Sequence, residues 1–414
     1  MVMNKSTRPT LTELMTSLNS EKWPERWNDI YDSVMDDFEA NGLRILNPDY
    51  YDEIENRFGI LDDMLDTYKR IAKEVSEDEP LSRLMALIAA SMHDRENIRA
   101  DIKALGLPRS LDGSHVDKYT MLPALAMCEM VDYTYSLVKD RNLPEDHLAH
   151  TMKYCGGTGM VKGYMRRNEG KLGTINWGWY QLAVDAKLYK SSLLTLELDR
   201  PFTPRATVFR NGEGKIVTAA HSEVFHRSGY ILGTPGYEDE EGSFEPTLTE
   251  TDDAYIAYLY DEDGFAKNET TELKKSEWEI VLRPDDPMID LHIPAGKSLK
   301  SELVDASFEE IREFLATYFP EKEYKGFIIS SWVLSPIVYD MLGGKGNIST
   351  FGKKFVKITK KDKGTSVMSF VFLQKDVNNV DYASLPENTS LERALKKHYL
   401  EGKKIYDTYG YILK

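Results

Sequence analysis

Asp290 and His292 stand two positions apart inside an apolar run, Met288 to Ile293, that reads as a β-strand. Alternate side chains of an extended chain share a face, so a carboxylate and an imidazole would emerge side by side from one sheet surface. An imidazole titrates near neutrality, which suits it to taking a proton from a substrate group, although a histidine on a strand can equally be a core residue satisfied by a backbone carbonyl. Just downstream, Ala295-Gly296-Lys297-Ser298 forms a glycine turn with one cation between that strand and a helix. Such a turn can cradle a phosphate on main-chain N–H groups at a helix N-terminus, and it also occurs where nothing binds.

Other chemistry-bearing groups carry weaker patterns. Ser330 and Ser331 end a strand at its C-terminal edge, where open α/β sheets place ligands. Neither sits in a nucleophile elbow and no matching His and acid spacing accompanies them, which disfavours a serine hydrolase. His147, His150 and Cys155, and the pair His221 and His226, lack the spacing of a zinc site, so no metal is expected. Lys345, Lys353, Lys354, Lys357, Lys360, Lys361 and Lys363 read as a solvated hairpin face. Trp177 to Tyr180 and His221 to His226 gather polar and aromatic groups near a domain junction, where they could line an acceptor pocket or simply be core.

The elements that must hold these residues divide in two. From Thr10 to about Tyr154 apolar residues recur at helical spacing, as in Leu61, Met64, Leu65, Tyr68 and Ile71, and predict five or six helices, the one over Met121 to Val138 being central. The glycines from Gly156 to Gly178 break that period, and strands are expected afterwards at Trp179 to Val184, Leu188 to Leu198, Ala206 to Phe209 and Lys215 to Thr218, with a hairpin at Asn211-Gly212. Glu238 to Asp253 reads as an acidic loop. From Ser276 the expected order is strand Trp278 to Leu282, strand Met288 to Ile293, helix Ser307 to Tyr318, strand Gly326 to Ser330, helix Pro336 to Leu342, then strands Phe355 to Thr359 and Val367 to Leu373. The predicted fold class is α+β: an all-α N-terminal domain over residues 1–155, a β-rich segment over 156–275 and a mixed α/β domain over 276–414.

The bulk composition narrows the function further. A chain of 414 residues exceeds one hydrophobic core. A formal net charge of −16 disfavours nucleic acid as a partner. No apolar stretch reaches the length of a membrane span, Met1 to Asn19 has no apolar run behind its basic residues, and two cysteines form no disulfide framework. A reducing, cytoplasmic setting with no membrane partner is the expectation.

The strand and helix order from Ser276 resembles the C-terminal half of the GNAT N-acyltransferase fold. His292 to Gly296, Ser331 to Pro336 and Leu385 to Leu391 resemble phrases of bacterial acyltransferase-domain proteins that pair a helical N-terminal domain with a GNAT-like C-terminal domain. The resemblance implies acyl-CoA or acetyl-CoA as co-substrate, a small-molecule amine as acceptor, and no metal or redox cofactor. It implies a cradle for the CoA pyrophosphate at Gly296, Lys297, Ser298 and Leu299, and Met288 to Ile293 as a strand splayed from Gly326 to Ser330. It also implies Tyr339 as the acid that protonates the leaving thiolate, with His292 or Asp290 relieving the amine of its proton, and it offers a site for the CoA 3′-phosphate as the other reading of the lysine segment. The cradle departs from the usual pattern, because Ile293 stands where Gln or Arg is common and Pro294 removes one donor. That departure keeps a non-catalytic binding or scaffolding protein as the alternative.

Overall fold

The computed structural model describes residues 8–105, 116–154, 161, 177–294, 297–374 and 377–414. The chain divides into two compact units, Met1–Tyr189 and Lys190–Lys414. The division falls after the glycine cluster, because the helix Trp177–Val184 stays with the first unit. That segment was expected as a strand. Its aromatic composition suits either state, and burial of Gln181, Ala183 and Val184 at helical spacing fixes the outcome.

The first unit is helical. Among the described residues nine α-helices run between Leu11 and Tyr154, more than expected because short turns separate several of them. The helix Glu79–His93 buries residues on every side, including Leu81, Leu84, Met85, Leu87, Ile88 and Met92. Asp78 caps its N-terminus by accepting from the Leu81 N–H, and Pro80 occupies the first turn where no donor is needed. Buried Arg83 on this helix is held by Glu39 at 2.9 Å and Glu79 at 3.0 Å, so its charge enters the core paired. The predicted central helix is two, Leu122–Glu129 and Val131–Val138, hinged at Met130; all of Leu122–Glu129 is buried. Among the described residues no helix is long and apolar enough to cross a membrane.

The strand β1 (Leu188–Lys190) carries the chain across the division. There follow β2 (Thr195–Pro201), β3 (Ala206–Asn211), β4 (Ile216–Ala220), β5 (Leu248–Glu250), β6 (Ala254–Tyr260), β7 (Ala266–Lys274), β8 (Trp278–Leu282), β9 (Pro287–His292), β10 (Gly326–Ser331), β11 (Val356–Thr359) and β12 (Thr408–Leu413). Within the second unit one sheet runs β2-β9-β10-β12-β11. The other runs β5-β6-β4-β3-β8, with β7 also on β6. The Asn211 side chain accepts from the N–H groups of Glu213 and Lys215 and closes the predicted β3–β4 hairpin.

Phe202, Ala206, Val208 and Leu282 pack against Met288, Ile328, Ile358 and Tyr411, which makes the core between the two sheets. The Tyr411 hydroxyl lies 2.7 Å from Thr218 Oγ1 across that core. The helix Ser301–Tyr318 covers the other face of the first sheet, burying Val304, Ser307, Phe308, Ile311, Phe314 and Leu315 at spacings of three and four. Phe308 stacks on Phe327 of β10. Val367 to Leu373, expected as a strand, contains the helix Ser366–Phe370 instead; Val367 and Met368 are buried together and Phe370 is exposed, a helical rather than an alternating pattern. The last strand in sequence, β12, which was not expected, lies inside that sheet between β10 and β11.

Candidate active site

β9 and β10 are parallel, joined through the helix Ser301–Tyr318, and only two residue pairs register between them, Ile289 with Phe327 and Asp290 with Ile328. Past Asp290 the strand β9 pairs only with β2, Leu291 opposite Leu196 and His292 opposite Thr195. Past Ile328 the strand β10 pairs only with β12, through Ile329, Ser330 and Ser331. The two strands therefore part at their C-terminal ends, leaving a gap walled by His292 on one arm and Ser330 and Ser331 on the other. The ladder irregularity lies on the outer neighbour: three steps of β2, Glu197 to Arg200, span two of β9, Asp290 to Met288, and Asp199 takes a φ of +59° to absorb the extra residue.

Glu197, Asp290 and His292 converge at this gap. Asp290 faces Glu197 across the β2–β9 ladder, and His292 follows on the same face. His292 Nε2 lies 3.0 Å from Glu197 Oε2. Glu197 is nearly sealed, its side chain 6% exposed, whereas His292 is 30% exposed and open to the gap. Arg200 approaches both carboxylates, at 3.7 Å from Glu197 and 3.5 Å from Asp290. Burial pushes the Asp290 carboxyl up to about 6, and neighbouring Glu197 adds to the shift while His292 and Arg200 oppose it. Among the described residues this is the only group of three whose ligand atoms lie close enough, within 4.8 Å, to share a cation. Glu197 went unnoticed in the sequence, since a lone acid in an apolar run 95 positions away signals nothing until strand pairing brings it across from Asp290.

Tyr339 lies on the helix Pro336–Met341, as expected, which follows β10 after a short 3-10 turn at Trp332–Leu334, but not with this group. The ammonium groups of Lys353 and Lys357 sit 5.2 and 5.5 Å from its ring centroid, and Lys357 belongs to β11, three strands from β9. Of the expected cradle, Gly296 lies outside the described residues; Lys297 and Ser298 are exposed and Leu299 is buried. The helix Ser301–Tyr318 begins two residues later, and no side chain caps its N-terminus. The lysine segment is not a hairpin, and only Lys345, Lys353, Lys361 and Lys363 of it are exposed. β11 pairs with β12, Lys357 is buried against Asp263, Lys354 binds Asp305, and Lys360 donates to Ser330.

A second constellation mimics a catalytic triad without its means. His226 Nδ1 lies 2.6 Å from Ser228 Oγ and Nε2 lies 3.3 Å from Asp239 Oδ2. The N–H groups beside the hydroxyl are consumed, Ser228 N–H by the imidazole and Gly229 N–H by the His226 carbonyl, so none remains there to receive an oxyanion. The arrangement is a turn lock. His221 is likewise engaged, with Thr207 and Ser222.

This gap between parallel strands, followed by a covering helix, is the arrangement of a GNAT-like domain, and residues 225–412 match the GNAT-like C-terminal domain family. The chain is thus a helical N-terminal region followed by a GNAT-like C-terminal domain. Solved acyltransferases share this architecture end to end. One, an acyltransferase mutant in complex with octanoyl-CoA, aligns with a TM-score of 0.59 at 16% identity over 98% of this chain and 99% of its own. Another, in complex with CoA and 10C-teicoplanin, gives 0.58 at 17% identity over 97% and 98%. A third, with decanoyl-CoA and teicoplanin, gives 0.56 at 17% over 97% and 98%. No curated protein sequence matches the chain.

Proposed function

We propose that this protein is an N-acyltransferase that moves an acyl group from acyl-CoA to the amine of a small molecule by direct attack in a ternary complex. The observation that carries the reading is the parting of β9 from β10 after two pairs, with His292 on the open arm. Main-chain N–H groups released from a ladder at such a gap can receive the thioester carbonyl. The uncapped start of the helix Ser301–Tyr318, with Gly296, Lys297, Ser298 and Leu299 before it, would take the pyrophosphate on main-chain donors and the helix dipole. His292, oriented by Glu197, would accept the proton of the attacking amine, and Asp290 would tune the charge beside it. The solved acyltransferases with octanoyl-CoA, decanoyl-CoA and teicoplanin support a medium-chain acyl donor and a small-molecule acceptor for this chain.

Calorimetry with octanoyl-CoA, followed by release of CoA thiol in the presence of hydroxylamine as a surrogate nucleophile, tests the proposal. Binding and turnover are expected in the wild-type protein. His292→Ala should retain affinity and lose about 10² to 10⁴ in rate, the usual contribution of a positioned base. Gly296→Val should instead weaken affinity by placing a side chain where the phosphates approach. A second reading, a binding or scaffolding protein that keeps the sheet without the chemistry, draws on Ile293 and Pro294 ahead of the cradle. Absence of any octanoyl-CoA or acetyl-CoA affinity in the wild-type protein would favour it.

A further inference from the structure

Ile328 is in register with Asp290, so two residues further along each strand Ser330 would have stood opposite His292 had the β9–β10 ladder continued. It does not continue. Ser330 therefore forms the wall of the gap facing the imidazole, on the same face of the sheet. Its neighbour Ser331 is committed locally, since its hydroxyl accepts from the Val333 N–H at the start of the next turn. Ser330 is engaged differently: Lys360 Nζ donates to its Oγ at 2.9 Å. Lys360 follows the end of β11 and reaches back over the Tyr409 ring of β12, its Nζ 5.1 Å from the centroid, to meet β10. That crosses two strand spacings, about 10 Å. Asp407, just before β12, lies within Coulombic range of Lys360.

The direction of this hydrogen bond is fixed by chemistry. An ammonium group has three donors and no acceptor, so Ser330 Oγ must accept from Lys360 and its own proton is left to donate elsewhere. A hydroxyl polarised by a cation at 2.9 Å is a stronger proton donor than a free serine. Resting on the acyl-transfer reading above, we propose that Ser330 is the acid that protonates the leaving CoA thiolate, with Lys360 as the positioning residue that polarises it, in place of Tyr339. The amine nitrogen bonds to the thioester carbon and the carbon–sulfur bond breaks. The amine proton passes to His292. The sulfur takes the Ser330 proton, and Ser330 recovers one from Lys360. The products are the amide and free CoA thiol, with one proton gained by His292 and one lost by Lys360, so no other reactant is required.

The test compares two octanoyl donors with hydroxylamine as nucleophile: octanoyl-CoA, whose alkyl thiolate needs a proton to leave, and the octanoyl thioester of nitrothiophenol, whose stabilised thiolate does not. Ser330→Ala and Lys360→Met should bind octanoyl-CoA with unchanged affinity and lose about 10²-fold in kcat with it, but lose under about threefold with the aryl thioester. Ser330→Thr, which keeps the hydroxyl, should restore most of the rate. Tyr339→Phe should leave both donors unaffected. Equal losses on both donors would assign Ser330 and Lys360 to structure alone and overturn the proposal. A loss confined to octanoyl-CoA in Tyr339→Phe would return the acid role to Tyr339 and overturn it as well. A wild-type protein that does not bind octanoyl-CoA would remove the acyl-transfer reading itself, a result visible before any variant is made.

Discussion

His292 and Glu197 meet on a diagonal of the β2–β9 ladder: His292 is in register with Thr195, yet its Nε2 reaches the carboxylate two residues along, at 3.0 Å. An ionised carboxylate can only accept, so in this contact the ring proton sits on Nε2. The ring is thereby locked in one tautomer. The same carboxylate faces Asp290 directly, so a single acid from β2 orients the imidazole and raises the carboxyl group beside it.

Glu197→Gln keeps the shape of that side chain and deletes its charge. The amide can present either end to the imidazole, so the tautomer is no longer enforced. With octanoyl-CoA and hydroxylamine, kcat is expected to fall about 10²-fold or more while KM for octanoyl-CoA stays within about twofold, as befits a residue that acts through the base. A rise in KM with unchanged kcat would place Glu197 in donor binding instead.

Gly326 opens β10 beneath β12. A Cβ built there would lie 2.0 Å from the main-chain oxygen of Ile412, an atom that no side-chain rotation can move. Gly326→Ala should therefore push β10 from β12 and cost about 3 kcal/mol, the upper range for overpacking, read as a lower urea midpoint. Since β10 carries Ser330, octanoyl-CoA turnover should fall with it. A variant of wild-type stability would mean that the sheet flexes freely at this edge.

The succession from Trp278 to Met341 was legible because each element there carries a full period: alternation in β9, spacings of three and four in Ser301–Tyr318, and a serine and proline opening the helix Pro336–Met341. Asp290 and His292 followed from strand alternation alone. Glu197 did not, because only the pairing of β2 with β9 selects it from 68 acidic residues. Lys360 was seen as one of a run of lysines; Lys354, Lys357 and Lys353 of that run meet Asp305, Asp263 and the Tyr339 ring, partners that only the folded chain brings to them. Trp177–Val184 and Ser366–Phe370 were misread as strands because short apolar runs rich in aromatic or β-branched residues have no period long enough to tell helix from strand.

Asp290 supplies a stability test that requires no substrate. Its carboxyl titrates at about 6 in the folded protein against an ordinary value of 3.8, because burial penalises the charged form and Glu197 repels it. The folded state thus favours the protonated form. That contribution is fully present below about pH 3.8 and is lost as pH rises through about 6, so between these values the wild-type protein sheds about 3 kcal/mol on this group's account. Asn at this position is neutral throughout and sheds nothing. Asp290→Asn should accordingly be more stable relative to the wild type at pH 7.5 than at pH 4, with the difference in unfolding free energy between variant and wild type moving by about 2 to 3 kcal/mol in the variant's favour. Urea denaturation of both proteins at the two pH values measures this, and titrating groups remote from Asp290 cancel because they are common to the pair. A difference independent of pH would mean that Asp290 is ionised across the range, held there by Arg200 and His292 more strongly than burial and Glu197 oppose it.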